Sequence, residues 1–190
     1  MVYFIASAFA LLVLWAAWVF NGLIGLRNRL RAAWGDVDAM LKRRADLVPN
    51  LVAAVRGYAG HEQTTLERVT AARADARTAG ATPEAAAARA AAEGELSLGL
   101  GQLLVLAEAY PALRANTNFL ALQAELIRTE DDIASARRYY NAVVRDFNTR
   151  RETFPNLLLA APFGFHPGEP FELAEAGERR APDVGAEDAR

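Results

Sequence analysis

An unbroken apolar run opens the chain. The first 26 residues carry no charged side chain, and residues 2–20 match the ~20 apolar residues that a helix needs to cross a bilayer core. Aromatic rings, which settle at the headgroup level of membranes, lie toward the end of this run: Trp15, Trp18 and Phe20. A cleaved signal peptide, the alternative, has a positively charged start and an apolar stretch of roughly 7–15 residues. The pattern therefore predicts a transmembrane anchor over residues 1–26, with a short N-terminal tail.

Cations cluster just after the apolar run. Arg27, Arg29 and Arg31 follow it directly and are candidate membrane-interface residues, and a second basic group stands at residues 42–44. The N-terminal side of the run offers only the α-amino group. By the positive-inside rule, we expect the long C-terminal portion in the cytoplasm and the N-terminus outside.

Beyond the anchor, apolar residues alternate in steps of three and four, the seam pattern of coiled-coil-like helices. Helix-breaking signals divide the pattern into four helices, and short connections make neighbouring helices antiparallel. The predicted fold class is all-α: one N-terminal transmembrane helix followed by an antiparallel four-helix bundle over residues 27–154. The predicted seam consists of Leu30, Val37, Leu51, Val55, Leu100, Leu103, Phe119, Leu122, Leu126, Ile133, Tyr140 and Phe147.

The first of these breaks lies in the stretch LKRRADLVPNL, residues 41–51. Its three cations suit the last turn of a helix, where they meet the negative end of the helix dipole. Asp46 suits an N-cap, and Pro49 suits the next first turn, where its missing N–H removes no helical hydrogen bond. We therefore predict a turn at residues 45–48 between two antiparallel helices. A single long helix kinked at Pro49 is the alternative.

Two segments follow the fourth helix. The uncharged stretch FPNLLLAAPFGF, residues 154–165, would return toward the membrane in such a bundle. The apolar composition of residues 155–166 predicts one of two arrangements: the segment contacts a membrane or a partner, or it packs on the bundle. Residues 167–190 carry seven acids against three arginines and predict a disordered acidic tail. The candidate membrane-interface residues of the apolar stretch are Phe154, Leu157, Leu158, Phe163 and Phe165.

Motifs for chemistry are scarce. The chain has no cysteine, which excludes thiolate metal sites and thiol nucleophiles. His61 and Glu62 begin like a zinc-protease HExxH, but Thr65 occupies the position of the second histidine. A net charge of -2 gives no argument for nucleic acid. We expect no enzyme, no metal and no cofactor. Three glutamates would either cluster inside the bundle or face solvent, the simpler interpretation: Glu108, Glu125 and Glu130.

Six sequence blocks, taken together, resemble the LemA family over roughly residues 20–165: LRNRLRAAW, LKRRADLVPNLV, RGYAGHE, LAEAYPALRANTNFLALQAEL, TEDDIASARRYYN and FNTRRETFPNLL. Gly35 departs from the serine common in the family, and the acidic tail lies outside the family pattern. The resemblance implies one transmembrane helix, a soluble antiparallel helical bundle, no established enzymatic activity and no catalytic residues to carry over. Some members of the family are associated with building specialised bacterial membranes.

From the anchor, the helices and this resemblance, we expect a self-associating helical scaffold in the bacterial inner membrane that organises or remodels the bilayer. Its expected partners are membrane lipid and further copies of itself. The alternative is a membrane-tethered adaptor that presents the bundle and the acidic tail to an unidentified soluble protein.

Overall fold

Every regular element that the structure describes is a helix. The structure is a computed structural model that describes residues 1–59 and 61–172. Within these ranges the all-α prediction is confirmed. The elements are α1 (Val2–Arg56), α2 (Gln63–Thr78), a 3-10 turn (Pro83–Ala85), α3 (Ala86–Glu108), α4 (Pro111–Arg114), α5 (Thr117–Glu152) and α6 (Leu157–Ala160).

The first helix does not end ahead of Pro49. α1 continues for 55 residues to Arg56, so the predicted turn at residues 45–48 is wrong. Proline has no N–H to donate to the carbonyl of Ala45, four residues earlier. The side chain of Arg73, on α2, donates its Nε–H to that carbonyl at 2.6 Å. A neighbouring helix thus supplies the hydrogen bond that proline lacks, and α1 passes through.

Three cations suggested the end of a helix, but in the structure each of them has a different partner around α1. Lys42 pairs with Asp38 on the same helix at 2.6 Å, and Arg43 pairs with Glu125 of α5. Arg44 turns into the interior. The basic run is therefore a set of ion pairs on a continuing helix.

The chain reverses direction after Arg56. The backbone N–H of Ala59 donates to the carbonyl of Val55, and Ala59 itself is buried at the turn. α2 then runs beside the distal part of α1, where Arg77 pairs at 3.5 Å with Asp46, the residue predicted as an N-cap. Asp46 and Pro49 are both exposed.

The longest partner of α1 is α5. Its N-terminus is capped by Asn116, whose side-chain oxygen accepts hydrogen bonds from the backbone N–H groups of Asn118 and Phe119. The same Asn116 donates to the hydroxyl of Tyr58, near the distal end of α1. The other end of α5, at residues 146–153, borders a groove with residues 21–29 of α1.

Two apolar clusters fill the interior. The proximal core consists of buried residues between 19 and 41 of α1, 86 and 90 of α3, 133 and 147 of α5, and 160 and 171 of the C-terminal part. The distal core consists of buried residues in the ranges 48–59, 66–76, 96–113 and 119–126. Of the predicted seam, Leu30, Val37, Ile133, Tyr140 and Phe147 lie in the proximal core, and Leu51, Val55, Leu100, Leu103, Phe119 and Leu126 lie in the distal core, with Leu122 half-buried against it.

The first residues of the predicted disordered tail are ordered and packed. Phe171 is fully buried in the proximal core, and hydrogen bonds from α5 hold the backbone around it. The structure therefore differs from the prediction over residues 167–172, because the large aromatic side chain has a site to fill. The rest of the predicted tail, residues 173–190, lies outside the described residues.

Candidate membrane interface and buried polar layer

The first part of α1, its apolar half, has large apolar side chains that the rest of the fold leaves exposed. Phe4 and Leu11 are 81% and 68% exposed. Among the described residues, two helices are long and apolar enough to cross a membrane: α1 and the helical stretch Pro83–Glu108. The second carries a buried arginine and a buried glutamate in ion pairs with the other helices. The large free apolar surface therefore belongs to α1.

Residues 154–165, here called the interface segment, fold back against this apolar half. The ring of Phe20 meets the ring of Phe163 edge-on at 5.2 Å and that of Phe165 at 5.8 Å. Ala160 and Phe165 are buried. An apolar groove of about 360 Å³ separates the segment from α1 and is lined by Leu12, Val13, Ala16, Ala17, Phe20, Leu159 and Phe163. The segment thus lies beside the apolar half of α1, along the stretch from Leu12 to Phe20.

Four of the five predicted interface residues of this segment remain exposed. Phe154 is 73% exposed, Leu158 and Phe163 are each 56% exposed, and Leu157 is 49% exposed. Phe165 is the exception, because its ring is enclosed by the proximal core. The inner side of the segment therefore packs on the protein, as one alternative predicts, and the contact of its exposed side with a membrane or a partner stays a prediction.

Residues 166–172, here called the strap, run from the interface segment along α5. The side-chain amide of Asn148 both donates to the carbonyl of Gly168 and accepts from its N–H, at 2.9 and 2.8 Å. Asn141, two helical turns earlier, makes the same pair of bonds with Phe171 at 3.1 and 2.8 Å. A Cβ at Gly168 would lie 2.8 Å from Leu30, so glycine lets the strap lie close to α1.

Tyr140 adds a fifth bond to the strap. Its hydroxyl donates to the carbonyl of Glu169 at 2.8 Å. Burial raises the pKa of this phenol to about 12, and the nearby charges of Glu84 and Glu169 act in the same direction. The hydroxyl is therefore a permanent donor at physiological pH.

The predicted interface arginines take different places. Arg29 and Arg31 are exposed. Arg27 is half-buried, and its guanidinium lies 5.2 Å from the centre of the Phe165 ring. A groove of about 540 Å³ between α1, the start of α3 and the strap is lined by Arg27, Arg31, Glu84, Phe165, His166 and Glu169, among others.

A polar layer, made of Arg44, Arg89, Glu93 and Glu130, separates the two cores. Arg44 donates to Glu93 at 2.5 Å and to Glu130 at 2.9 Å, and Arg89 donates to the second oxygen of Glu93 at 2.9 Å. Arg44 and Glu93 have no exposed surface, and Arg89 has 2%. Burial opposes the charge of Arg44, but Glu130 and Glu93 outweigh it and raise the pKa of the guanidinium.

Arg89 and Glu93 were absent from the sequence-based candidates, and Arg44 was interpreted as part of a helix end, although the seam contains the signal of a buried ion pair. The alternation of α1 runs through Leu41, Arg44, Val48 and Leu51 without a change of step. Glu93 lies on the corresponding stripe of α3, so two helices each place an ion on an apolar stripe at one level. A charge on a seam is costly unless it meets an opposite charge, so the two positions together point to a pair.

The histidine and glutamate candidates do not assemble into a site. Among the described residues, no group of three or more His, Cys, Asp or Glu side chains is placed to hold a metal ion. His61 and Glu108 are exposed. Glu125 and Glu130 pair with Arg43 and Arg44 rather than with each other.

These features define a helical protein built on one long helix, with an apolar first half and helices α2, α3 and α5 packed around the rest. The sequence pattern of the LemA family matches residues 33–185, and the chain belongs to this family. The match continues into the acidic tail, beyond residue 165, where the resemblance noted from the sequence blocks stops.

Three relatives illustrate the family. Magnetosome protein MamQ 2 of Paramagnetospirillum magneticum and magnetosome protein MamQ of Magnetospirillum gryphiswaldense are each 24% identical over 181 residues, covering 84% of this chain and 66% of the relative. Protein LemA of Metamycoplasma hominis is 25% identical over 134 residues, covering 70% of this chain and 60% of the relative. The chain thus spans just under two thirds of the length of these relatives.

Proposed function

We propose that this protein is a self-associating, non-enzymatic helical scaffold, anchored in the bacterial inner membrane, that organises or remodels the bilayer. The observation that carries the proposal is the position of the interface segment. Its inner side packs along residues 12–20 of α1, and its outer side leaves large apolar side chains exposed. If residues 2–20 span the membrane, this segment enters the same bilayer from the side of the helical domain.

The physical effect of such a segment is asymmetric. Apolar side chains that enter only the leaflet next to the helical domain widen that leaflet and not the other. Binding of shallow apolar elements depends on lipid packing and curvature for this reason. The position of the segment thus supports a role in shaping or organising the membrane around the anchor.

We further propose that α1, α2, α3 and α5 form an antiparallel four-helix bundle that stands on the membrane. Contacts along the chain support this arrangement: Trp34 meets the α2–α3 connection, and Tyr58 meets the start of α5. The cytoplasmic side is proposed from Arg27, Arg29 and Arg31, because cations beside a span favour that side.

Self-association is proposed through the bundle surface. Four large apolar side chains of α3 and α5 are exposed in the distal half: Leu98 (42%), Val105 (68%), Leu120 (45%) and Ile127 (57%). Exposed apolar side chains outside the anchor favour contacts with a second molecule. Two of the relatives named above are magnetosome proteins by name, which agrees with the association with specialised bacterial membranes that the family resemblance implies.

The test uses full-length protein reconstituted into liposomes and imaged by cryo-electron microscopy. One variant carries Phe154→Ser, Leu157→Ser and Leu158→Ser in the interface segment. Its matched control carries Val105→Ser, Leu120→Ser and Ile127→Ser in the distal half. We expect the wild type to change vesicle shape, the first variant to remain inserted but leave shape unchanged, and the control to keep the shape change while losing crosslinked oligomers.

A wild-type protein that stays monomeric on liposomes and leaves their shape unchanged would contradict the scaffold. The adaptor alternative makes a separate prediction. Deletion of residues 173–190 would then abolish recovery of a soluble partner in a crosslinking pull-down, whereas a scaffold keeps its self-association after the same deletion.

A further inference from the structure

The 540 Å³ groove beside Arg27 has a charge arrangement that the scaffold proposal does not use. Two arginines, Arg27 and Arg31, and His166 line it together with two acids, Glu84 and Glu169. The Nε of Arg27 is buried and has no hydrogen-bond partner among the described residues. A buried N–H donor without a partner is costly, and a ligand oxygen in the groove would satisfy it.

The cations and acids occupy different levels along α1. Arg27 lies over Phe165, whose ring touches Phe20 in the apolar half of the helix. The acids lie on the far side: Glu169 is held by Tyr140, which packs on Trp34, and the charge of Glu84 also acts on Tyr140. Trp34 is seven residues beyond Arg27, which is about 10 Å along the helix axis.

Among the described residues, neither Glu84 nor Glu169 lies within salt-bridge distance of a groove arginine. The pKa of Glu84 is lowered chiefly by its own backbone N–H and by the Thr82 hydroxyl, and Arg31 adds to this from a longer range. Glu84 is therefore ionised and exposed at the start of α3. The groove thus presents Arg27 toward the apolar half of α1 and the two acids toward Tyr140, with Arg31 close enough to act on Glu84.

We propose that this groove binds the phosphoethanolamine headgroup of a membrane phospholipid. The phosphate would accept hydrogen bonds from Arg27 and Arg31, and the primary ammonium would donate to Glu84 and Glu169. The order of charges matches a lipid whose phosphate lies next to the acyl chains and whose ammonium points away. This inference rests on the membrane placement in the proposed function, and it adds a lipid class that the scaffold proposal does not specify.

Other headgroups fit the groove less well. A phosphatidylglycerol headgroup has no cation for the two acids. A choline headgroup has a quaternary ammonium with no N–H to donate, so it cannot replace the hydrogen bonds of a primary ammonium.

The test is native mass spectrometry of full-length protein in neutral detergent with equal amounts of phosphatidylethanolamine, phosphatidylglycerol and phosphatidylcholine of identical acyl chains. We expect one phosphatidylethanolamine per protein, retained about tenfold better than phosphatidylcholine, the ratio that one charge-assisted hydrogen bond supports. Arg27→Gln should abolish this retention. Glu84→Gln should keep phospholipid binding but remove the preference for phosphatidylethanolamine over phosphatidylglycerol. Arg145→Gln, an exposed arginine of α5 outside the groove, is the matched control and should bind like wild type.

Three outcomes would overturn the headgroup proposal: equal retention of the three lipids, unchanged retention in Arg27→Gln, or displacement of the bound lipid by an equal concentration of soluble phosphoethanolamine. The last would assign the groove to a free metabolite. Thermal unfolding by circular dichroism checks that each variant is folded. Flotation of the wild type with vesicles separates the two proposals, because protein that floats without headgroup preference refutes this inference alone, and protein that does not float refutes both.

Discussion

The proximal and distal cores lie on the same long helices, yet they are closed in different ways. Helices α1, α2, α3 and α5 all contribute residues to the distal core, which is filled largely by aliphatic side chains. Among the described residues, α2 contributes none to the proximal core, which is closed by the strap and the interface segment. Two aromatic side chains of the proximal core hold irregular backbone by hydrogen bonds. Trp34 donates to the carbonyl of Ala81, and Tyr140 donates to that of Glu169.

The difference shows which kind of contact fixes the conformation of each half. In the distal half, the packing of aliphatic seams between regular helices dominates. In the proximal half, the side chains of Asn141 and Asn148 fix a stretch of backbone that has no regular hydrogen bonding of its own. This half also carries the surface proposed to meet lipid. Here the strap and the interface segment take the place of a fourth helix, and they form the candidate site.

The largest expected effect concerns the polar layer between the two cores. Glu93→Ala removes the shared partner of Arg44 and Arg89 and leaves buried positive charge, which should lower the free energy of unfolding by about 3–5 kcal/mol. Thermal and urea unfolding of full-length protein in detergent, followed by circular dichroism, measures it. The control is Glu95→Ala on the same helix, which breaks only an exposed pair with Arg68 and should cost less than about 1 kcal/mol.

The polar layer also admits a test in the opposite direction. If its role is to set the register of the helices rather than to stabilise them, then Arg44→Met combined with Arg89→Leu and Glu93→Leu should merge the two cores at little or no cost in stability. A loss as large as that of Glu93→Ala alone would show that the ions stabilise the fold.

The second prediction concerns the strap. Phe171→Ala should lower the free energy of unfolding by about 3 kcal/mol, because a fully buried ring in the proximal core is lost. The same substitution at Phe154, which is 73% exposed, is the control and should have little effect. Limited proteolysis of the strap should become faster in the first variant alone. Equal stability of the two variants would place the strap outside the cooperative core.

The third prediction tests how α1 passes Pro49 in the distal half. Arg73→Met removes the donor to the carbonyl of Ala45 and should cost about 2 kcal/mol. Pro49→Ala restores a backbone N–H for that carbonyl. In the Pro49→Ala background the cost of Arg73→Met should therefore shrink, and a double-mutant cycle of urea unfolding measures the coupling. Additive effects would show that Arg73 contributes in another way.

The smallest effect is a pH dependence specific to the proximal core. Tyr140 ionises at about pH 12 in the folded protein and near 10.0 when unfolded, so the folded state keeps a proton that the unfolded state loses. Stability should be unchanged by this group below pH 10 and should fall by about 1 kcal/mol at pH 11. Tyr140→Phe should remove that decrease. Absorbance at 295 nm should show one late-titrating tyrosine in the wild type that is missing in the variant.

The periodicity of the apolar residues was the basis on which the two cores were predicted. The seam residues of α3 and α5 lie in the interior because their alternation has one continuous period, and the same period in α1 runs through residues 37–55. The predicted turn was wrong because local signals, a basic run and a proline, were given more weight than that period. What allows the helix to continue is Arg73, on another helix, which no local signal at Pro49 can indicate.

The candidate site was predictable only in part. Charge and hydropathy predicted the interface segment and its neighbouring arginines. They failed at the strap, because the average over an acidic, glycine-rich stretch conceals the single ring of Phe171. The groove beside Arg27 could not be predicted either, since its walls come from α1, the start of α3 and the strap, whose proximity depends on the packed tertiary structure.

The continuity of α1 has a mechanical consequence. Arg56 lies 36 residues beyond Phe20, so this part of the helix is a shaft of about 54 Å. A tilt of about 20°, the average for membrane helices, carries the far end sideways by roughly 18 Å. If residues 2–20 span a membrane, as proposed, a change in bilayer thickness that alters this tilt would move the far end of the helix sideways.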